Sequence, residues 1–121
     1  MTVPKNLKYT AEHEWVRVEG DEIVIGVTDF AQGELGDVVF IEIETLGETL
    51  AKGETFGTIE AVKTVSDLYM PVDGEVVEVN SVLEDTPELV NSEPFEGGWM
   101  IRVKMNDPSQ LDDLIPEDEY L

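Results

Sequence analysis

Residues 54–71 of the chain read ETFGTIEAVKTVSDLYMP, two short apolar stretches with a lysine between them. Gly57–Val62 and Val65–Met70 are rich in β-branched and aromatic residues, so each is predicted to be a strand. Almost no chain separates the two, and the alternation breaks around Lys63. The pattern therefore predicts a β-hairpin with Lys63 at its tip, pointing into water. Because lysine carries its amine on a flexible four-carbon stem, such a hairpin presents a mobile amine on a rigid base.

The residues before this hairpin predict a second hairpin, a short helix and a strand. Glu14–Val18 and Glu22–Thr28 are expected to pair around a turn at Gly20-Asp21. A helix is predicted over Thr28–Gly36, because Thr28 is a good N-cap and Gly36 can end it. Val38–Glu44 follows as a strand, with Val39, Ile41 and Ile43 expected on one face.

The residues after the hairpin predict further short elements. Asp73-Gly74 is expected to turn the chain into a strand over Glu75–Val79. Thr86–Val90 predicts a single helical turn, and Trp99–Lys104 predicts a last strand. A helix and an acidic tail are expected over residues 107–121, with three apolar residues on the helix, Leu111, Leu114 and Ile115.

A short pattern occurs twice in the chain. GDVVFI at residues 36–41 returns as GEVVEV at residues 74–79. One such unit is too small to bury its own apolar face, whereas two packed together form a small barrel-like sandwich. The sequence thus predicts one mainly β domain over residues 1–121, with its core in about residues 4–105. Five aromatic residues are expected to supply core, Trp15, Trp99, Phe30, Phe40 and Phe56.

Composition excludes several classes of function. The 121 residues include 28 acidic and 7 basic ones, for a formal charge of −21, which repels nucleic acid and anionic membranes. The chain has no apolar run long enough to span a membrane and no cysteine for disulfides, thiolate metal sites or nucleophiles. His13 is the single histidine, which argues against a zinc site or a serine-type triad; a structural role beside Trp15 is expected instead.

The first residues resemble no signal or transit peptide, so a cytoplasmic location is predicted, or the mitochondrial matrix if a presequence has been removed.

Residues 60–71 resemble the lipoyl-lysine motif of the H protein of the glycine cleavage system. The segment reads EAVKTVSDLYMP and departs from the family pattern at Ala61, usually serine, and at Met70, usually a small residue; both are interpreted as positions that tune recognition by the lipoylating enzyme. The resemblance covers roughly residues 4 to 115. It includes the segments at residues 7–16, 26–32, 35–40, 74–80 and 94–100.

The resemblance implies a fold, a cofactor and a set of partners. The fold would be a lipoyl/biotinyl-carrier-like barrel-sandwich hybrid of two quasi-repeated β units, and lipoate would be attached covalently to Lys63 by a lipoate ligase or an octanoyltransferase. The chain would be a monomeric carrier and not an enzyme. Glycine decarboxylase (P protein, with pyridoxal phosphate) would load an aminomethyl group, the folate-dependent aminomethyltransferase (T protein) would remove it, and dihydrolipoamide dehydrogenase (L protein) would reoxidise the arm.

The resemblance also implies an acidic cleft for the loaded arm. The cargo would carry a cation, and an opposite charge at contact distance in a partly dry site attracts it. The family's cleft residues correspond to Glu14 and Asp67, while Glu12 stands where the family often has a small polar residue and would add an acceptor. For each of them an ordinary surface carboxylate is the alternative interpretation.

Other carrier classes fit the residues around Lys63 less well. Biotin carriers have methionines beside the lysine, and lipoyl domains of oxo-acid dehydrogenases have aspartate before it and alanine after it. Here the neighbours are Val62 and Thr64, so both classes fit poorly. An H-like protein that relays lipoate to other enzymes and an unmodified acidic interaction module remain open as alternatives.

Overall fold

The computed structural model describes residues 7–116 and residue 119, and it consists mainly of short antiparallel strands. Within these residues the strands are β1 Lys8–Tyr9, β2 Glu14–Glu19, β3 Glu22–Val27, β4 Val38–Glu42, β5 Thr49–Leu50, β6 Thr55–Ala61, β7 Val65–Tyr69, β8 Gly74–Val79, β9 Ile101–Met105 and β10 Ile115–Pro116. The helices are α1 Asp29–Leu35, α2 Val82–Asp85, α3 Leu89–Ser92 and a 3₁₀ helix, Pro108–Asp113.

The strands form two sheets around a shared apolar core. The larger sheet has the order β10-β1-β2-β3-β9-β8-β5 and the smaller one β4-β6-β7, and the two do not close into a continuous barrel. Ile25 from the larger sheet and Ile59 from the smaller one belong to the same buried cluster. This two-sheet, mainly β architecture confirms the predicted fold class. Among the described residues, no helix is long and apolar enough to cross a membrane.

The two predicted repeat units share a specific irregularity. β4 pairs with β6 through a bulge between Val38 and Phe40, and β8 pairs with β9 through a bulge between Val76 and Glu78. These bulges fall at equivalent positions of the repeated pattern. Val38 and Val76 are buried. The repeated sequence thus produces the same local backbone irregularity twice, once in each sheet.

The first helix begins and ends as the sequence predicts. The Thr28 hydroxyl accepts a hydrogen bond from the Ala31 N–H at 3.1 Å, so it caps α1. Gly36 follows the last helical residue with φ of 80°, a conformation that favours glycine. The helical turn predicted over Thr86–Val90 is misplaced, because α3 spans Leu89–Ser92 and Thr86 instead ends the unpredicted helix α2.

The predicted C-terminal helix begins at Pro108 after the Asp107 cap, but it is a short 3₁₀ helix that does not include Leu114 or Ile115. The 3₁₀ helix ends at Asp113, and Ile115 pairs with Tyr9 as part of β10, where strand pairing satisfies its backbone. Leu114 lies just beyond the end of the 3₁₀ helix and is buried, so it packs into the core although the helix does not extend to it. The tail predicted after Pro116 lies outside the described residues except for residue 119, and residues 4–6 of the predicted core also lie outside them.

Two of the five predicted core aromatics are exposed. Trp15 and Phe56 are fully buried and Trp99 is partly buried, but Phe30 and Phe40 are 40% and 48% exposed. The bulge in β4 shifts the alternation, so that Val39 is exposed as well and does not share the inward face of Ile41. Periodicity alone did not reveal that bulge.

A pair of glycine substitutions tests the packing between β2 and β3. Gly26 faces Trp15, and a Cβ at this position would lie 2.7 Å from three atoms of the buried indole. We expect Gly26→Ala to lower the free energy of unfolding by about 2–3 kcal/mol through overpacking. Gly33 lies in α1, where an added Cβ would meet no atom of the described residues within 4 Å outside the helix's own backbone, so Gly33→Ala should stabilise by about 0.5–1 kcal/mol. Chemical denaturation of both variants checks the pair, and equal effects would contradict the packing described.

Candidate functional site

Lys63 lies in the tight reversal between β6 and β7, as predicted. Glu60 and Val65 are the last paired residues, and the Ala61 N–H donates a hydrogen bond to the Thr64 carbonyl at 2.8 Å. The Lys63 side chain is exposed. No ion pair within the described part of the chain involves it. A rigid hairpin therefore presents a solvated, accessible amine.

Contacts with the end of α1 hold the hairpin tip in place. The Val62 N–H donates to the Asp37 carbonyl at 3.0 Å. A Cβ on Gly36 would lie 3.4 Å from Cε of Lys63, so the lysine stem passes over a residue without a side chain. The Asn91 amide donates to the Gly36 carbonyl at 2.8 Å, and its Oδ1 accepts from the Val38 N–H at 2.9 Å. Sequence reasoning missed Asn91, since only the fold brings it beside α1.

The two departures from the lipoyl-lysine motif are core positions. Ala61 and Met70 are 4% and 2% exposed. The interpretation that they tune recognition by a modifying enzyme is therefore not favoured, because an approaching protein cannot contact them directly. Their identities reflect packing beneath the hairpin.

Glu14 is a buried carboxylate that connects the two sheets. It begins β2, is only 2% exposed, and its Oε2 accepts a hydrogen bond from the Tyr69 N–H of β7 at 2.8 Å. Its own N–H donates to the Thr10 hydroxyl at 3.1 Å. The other carboxylate oxygen, Oε1, is also buried, and no group among the described residues forms a hydrogen bond with it. Such an oxygen is costly unless a ligand or a proton compensates it.

Burial dominates the protonation of Glu14. Loss of solvent raises the pKa of Glu14 from 4.5 to about 8, with the nearby Glu12 charge adding to the rise and the Tyr69 hydrogen bond opposing it. Glu14 is therefore mostly protonated at neutral pH in the absence of a cation. A cation placed beside Oε1 would favour the ionised form.

A cleft of about 170 Å³ opens between α1 and β7, with Glu14 in its wall. The structure brings the three predicted carboxylates, Glu12, Glu14 and Asp67, to this one cleft. Glu12 and Asp67 are exposed at its rim, in contrast to Glu14. Glu34 of α1 also lines the cleft, and sequence analysis missed it because it is one of many acidic residues. The cleft can therefore attract a small cation.

His13 and Phe30 form another part of the cleft wall. Their ring centroids lie 4.6 Å apart, so His13 packs against Phe30. His13 adopts a positive φ of 63°, and its carbonyl accepts from the Thr28 N–H. The exposure of Phe30 follows from its place in this wall.

Comparisons of the sequence and of the fold with known proteins find similar proteins in one family. A family model described as glycine cleavage H-protein matches residues 7–121. Glycine cleavage system H proteins of Staphylococcus carnosus (strain TM300) and Bacteroides thetaiotaomicron are 58% and 57% identical over 120 residues, covering 99% of this chain and 95% of each relative. The crystal structure of a glycine cleavage system H protein from Mycobacterium marinum matches with a TM-score of 0.88 and 36% identity, covering 98% of this chain and 95% of that one.

Proposed function

Because this chain belongs to the glycine cleavage H-protein family, we propose that it carries lipoate on Lys63 and shuttles the aminomethyl group of glycine between the enzymes of that system. Members of the family are lipoyl-carrier components and are not themselves catalytic. The observation that carries the proposal is the exposed amine of Lys63 on a rigid hairpin, with the acidic cleft in the same region of the smaller sheet.

The proposed partners follow from membership in the system. They are the pyridoxal-phosphate glycine decarboxylase, the folate-dependent aminomethyltransferase and dihydrolipoamide dehydrogenase, with a lipoate ligase or octanoyltransferase for the attachment. The charge of −21 suits basic docking surfaces on these enzymes and fast encounter at low salt. A monomeric state and a cytoplasmic location stay predictions.

The residues of the hairpin and the cleft fit a lipoyl arm. When bound to Lys63, lipoate supplies a disulfide that accepts an aminomethyl group. The chain's own contribution is to hold the root of the arm over Gly36 and to offer carboxylates to a protonated amine. The unpartnered Oε1 of Glu14 is the acceptor that such an amine would satisfy, with Asp67 and Glu12 at the rim. Burial around Glu14 limits the access of water to this end of the cleft.

The cleft also bears on the relay alternative. A protein that only passes lipoate to other enzymes has no cationic cargo for the unpartnered oxygen to bind, although the Tyr69 hydrogen bond to the other oxygen would still connect the two sheets. The unpartnered Oε1 of Glu14 therefore favours aminomethyl transport over a relay role.

Intact-mass measurement of protein purified from its native host tests the proposal. We expect one added lipoyl group, and peptide mapping should locate it on Lys63. The other lysines, including exposed Lys52 and Lys104, serve as internal controls and should remain unmodified. An unmodified chain would instead support the acidic interaction module, and lipoate on another lysine would overturn the assignment of the arm to Lys63.

A further inference from the structure

Four large apolar side chains are exposed around Lys63. Val39 and Phe40 of β4 are each 48% exposed, Val62 beside the lysine is 74% exposed, and Val65 of β7 is 64% exposed. We call these four residues the hairpin patch. Exposed apolar groups gathered in one place commonly mark an interaction surface, whereas single ones need no explanation.

Strand pairing places two members of the hairpin patch in one row across the smaller sheet. Phe40 pairs with Glu60, and Glu60 pairs with Val65, so the three side chains form a row across the smaller sheet. The next pair along, Ile41 with Ile59, is buried, so the row lies on the outer face. The hydrogen bond from the Val62 N–H to the Asp37 carbonyl holds the tip against the start of β4. The row thus carries two apolar side chains, Phe40 and Val65, with Glu60 between them. The exposed acidic residues Asp37 and Glu42 adjoin it, and Lys63 lies at its edge.

We propose that the hairpin patch is the docking surface for the enzyme that acylates Lys63. This rests on the proposed function above and names a partner surface for the same site. The complementary surface on the enzyme would be apolar, with a basic side chain opposite Glu60. The strongly acidic character of the chain supports that basic group, because long-range attraction would bring the two proteins together before the apolar contact forms.

The reach of the amine argues for the acylating enzyme over the other partners. The bare amine of Lys63 stands one four-carbon stem from the backbone, so an enzyme that acts on it has to cover the hairpin tip. An enzyme that acts on the far end of an attached lipoyl chain works at a greater distance from the sheet. Contact with Val62 and Val65 is therefore obligatory only during acylation.

The acylation step balances without an oxidant. The deprotonated amine of Lys63 attacks the carbonyl carbon of an acyl adenylate formed from lipoate and ATP. An amide bond forms, the bond to AMP breaks, and the proton of the amine passes to solvent. The reaction needs only that the tip and the activated acyl group be held together.

The test measures acylation of the unmodified protein by a purified lipoate ligase with lipoate and ATP, followed by intact mass. We expect Val65→Thr to lower kcat/KM a few-fold, and Phe40→Thr with Val65→Thr to lower it by about ten-fold or more, since central apolar contacts dominate interfaces. Both changes suit exposed strand positions, and thermal melts check that the fold is kept. The matched control is Val18→Thr on β2 of the larger sheet, 42% exposed, which should be acylated at the wild-type rate.

Two results would overturn the docking proposal, and a third would reject the proposed function instead. Acylation of the folded double variant at the wild-type rate would overturn the docking proposal. So would a variant that is acylated normally but slows glycine-dependent ammonia release, because the patch would then serve an enzyme acting on the loaded arm. Failure of the wild-type chain to accept lipoate on Lys63 would instead reject the proposed function.

Discussion

Lys63→Arg is expected to fold like the wild type and to abolish glycine-dependent ammonia release in the reconstituted system. Arginine keeps the positive charge and a similar length at an exposed position, so the hairpin should be unaffected. Its guanidinium remains protonated at all working pH values and cannot be acylated by the same route. The expected loss is complete, because no other residue would carry the arm. Ammonia release with purified partner enzymes measures it, and circular dichroism verifies the fold.

A matched substitution separates loss of the acceptor from a general effect of arginine. Lys104→Arg changes another exposed lysine, on β9 of the larger sheet, and should leave both lipoylation and ammonia release unchanged. If Lys63→Arg released ammonia at the wild-type rate, the proposal that Lys63 carries the lipoyl arm would be wrong.

Glu14→Gln is expected to stabilise the protein at neutral and alkaline pH. Below pH 4.5 the Glu14 carboxyl is protonated in the folded and the unfolded chain alike. Between pH 4.5 and about 8 only the unfolded chain loses this proton, so the free energy of unfolding falls as the pH rises. The stability lost over this window amounts to at most about 5 kcal/mol, since one proton is worth about 1.4 kcal/mol per pH unit. Glutamine does not titrate and escapes this loss.

The measurement is the difference in unfolding free energy between Glu14→Gln and the wild type across pH. The carbonyl oxygen of glutamine can still accept from the Tyr69 N–H, so the difference should be small at pH 4 and grow up to pH 8 in favour of the variant. Glu12→Gln removes only the smaller charge effect on the pKa of Glu14 and leaves the burial, so the pH dependence of its stability should stay close to that of the wild type. A difference that does not vary with pH would show that Glu14 is ionised in the folded chain.

The same variant also tests the proposed role of Glu14 in holding the cargo. We expect Glu14→Gln to accept lipoate normally, because Glu14 is buried in the cleft and not on the hairpin patch. Without a carboxylate for the amine, the loaded arm should release formaldehyde faster. Unchanged leakage would remove Glu14 from the cargo site, and the gain in stability would exclude misfolding as the cause of faster leakage.

The structural predictions that succeeded are those that depend only on residues close together in the sequence. The hairpin around Lys63 and the cap of α1 by Thr28 depend on turn chemistry and alternation within a few residues, and both are confirmed. Phe30 and Phe40 were predicted to be core residues, and this was wrong because both are exposed. Phe30 belongs to a cleft wall that several elements build, and Phe40 follows a backbone bulge that alternation did not reveal.

The sequence by itself determined the position of Lys63 at a hairpin tip, because a strand, a reversal and a second strand are encoded in adjacent residues. Only the tertiary structure decided the state of Glu14. Its burial and its hydrogen bond to the Tyr69 N–H, 55 residues away, depend on two sheets meeting, and so does its unpartnered oxygen. A carboxylate acquires such a raised pKa from the atoms around it, and these are supplied by distant parts of the chain.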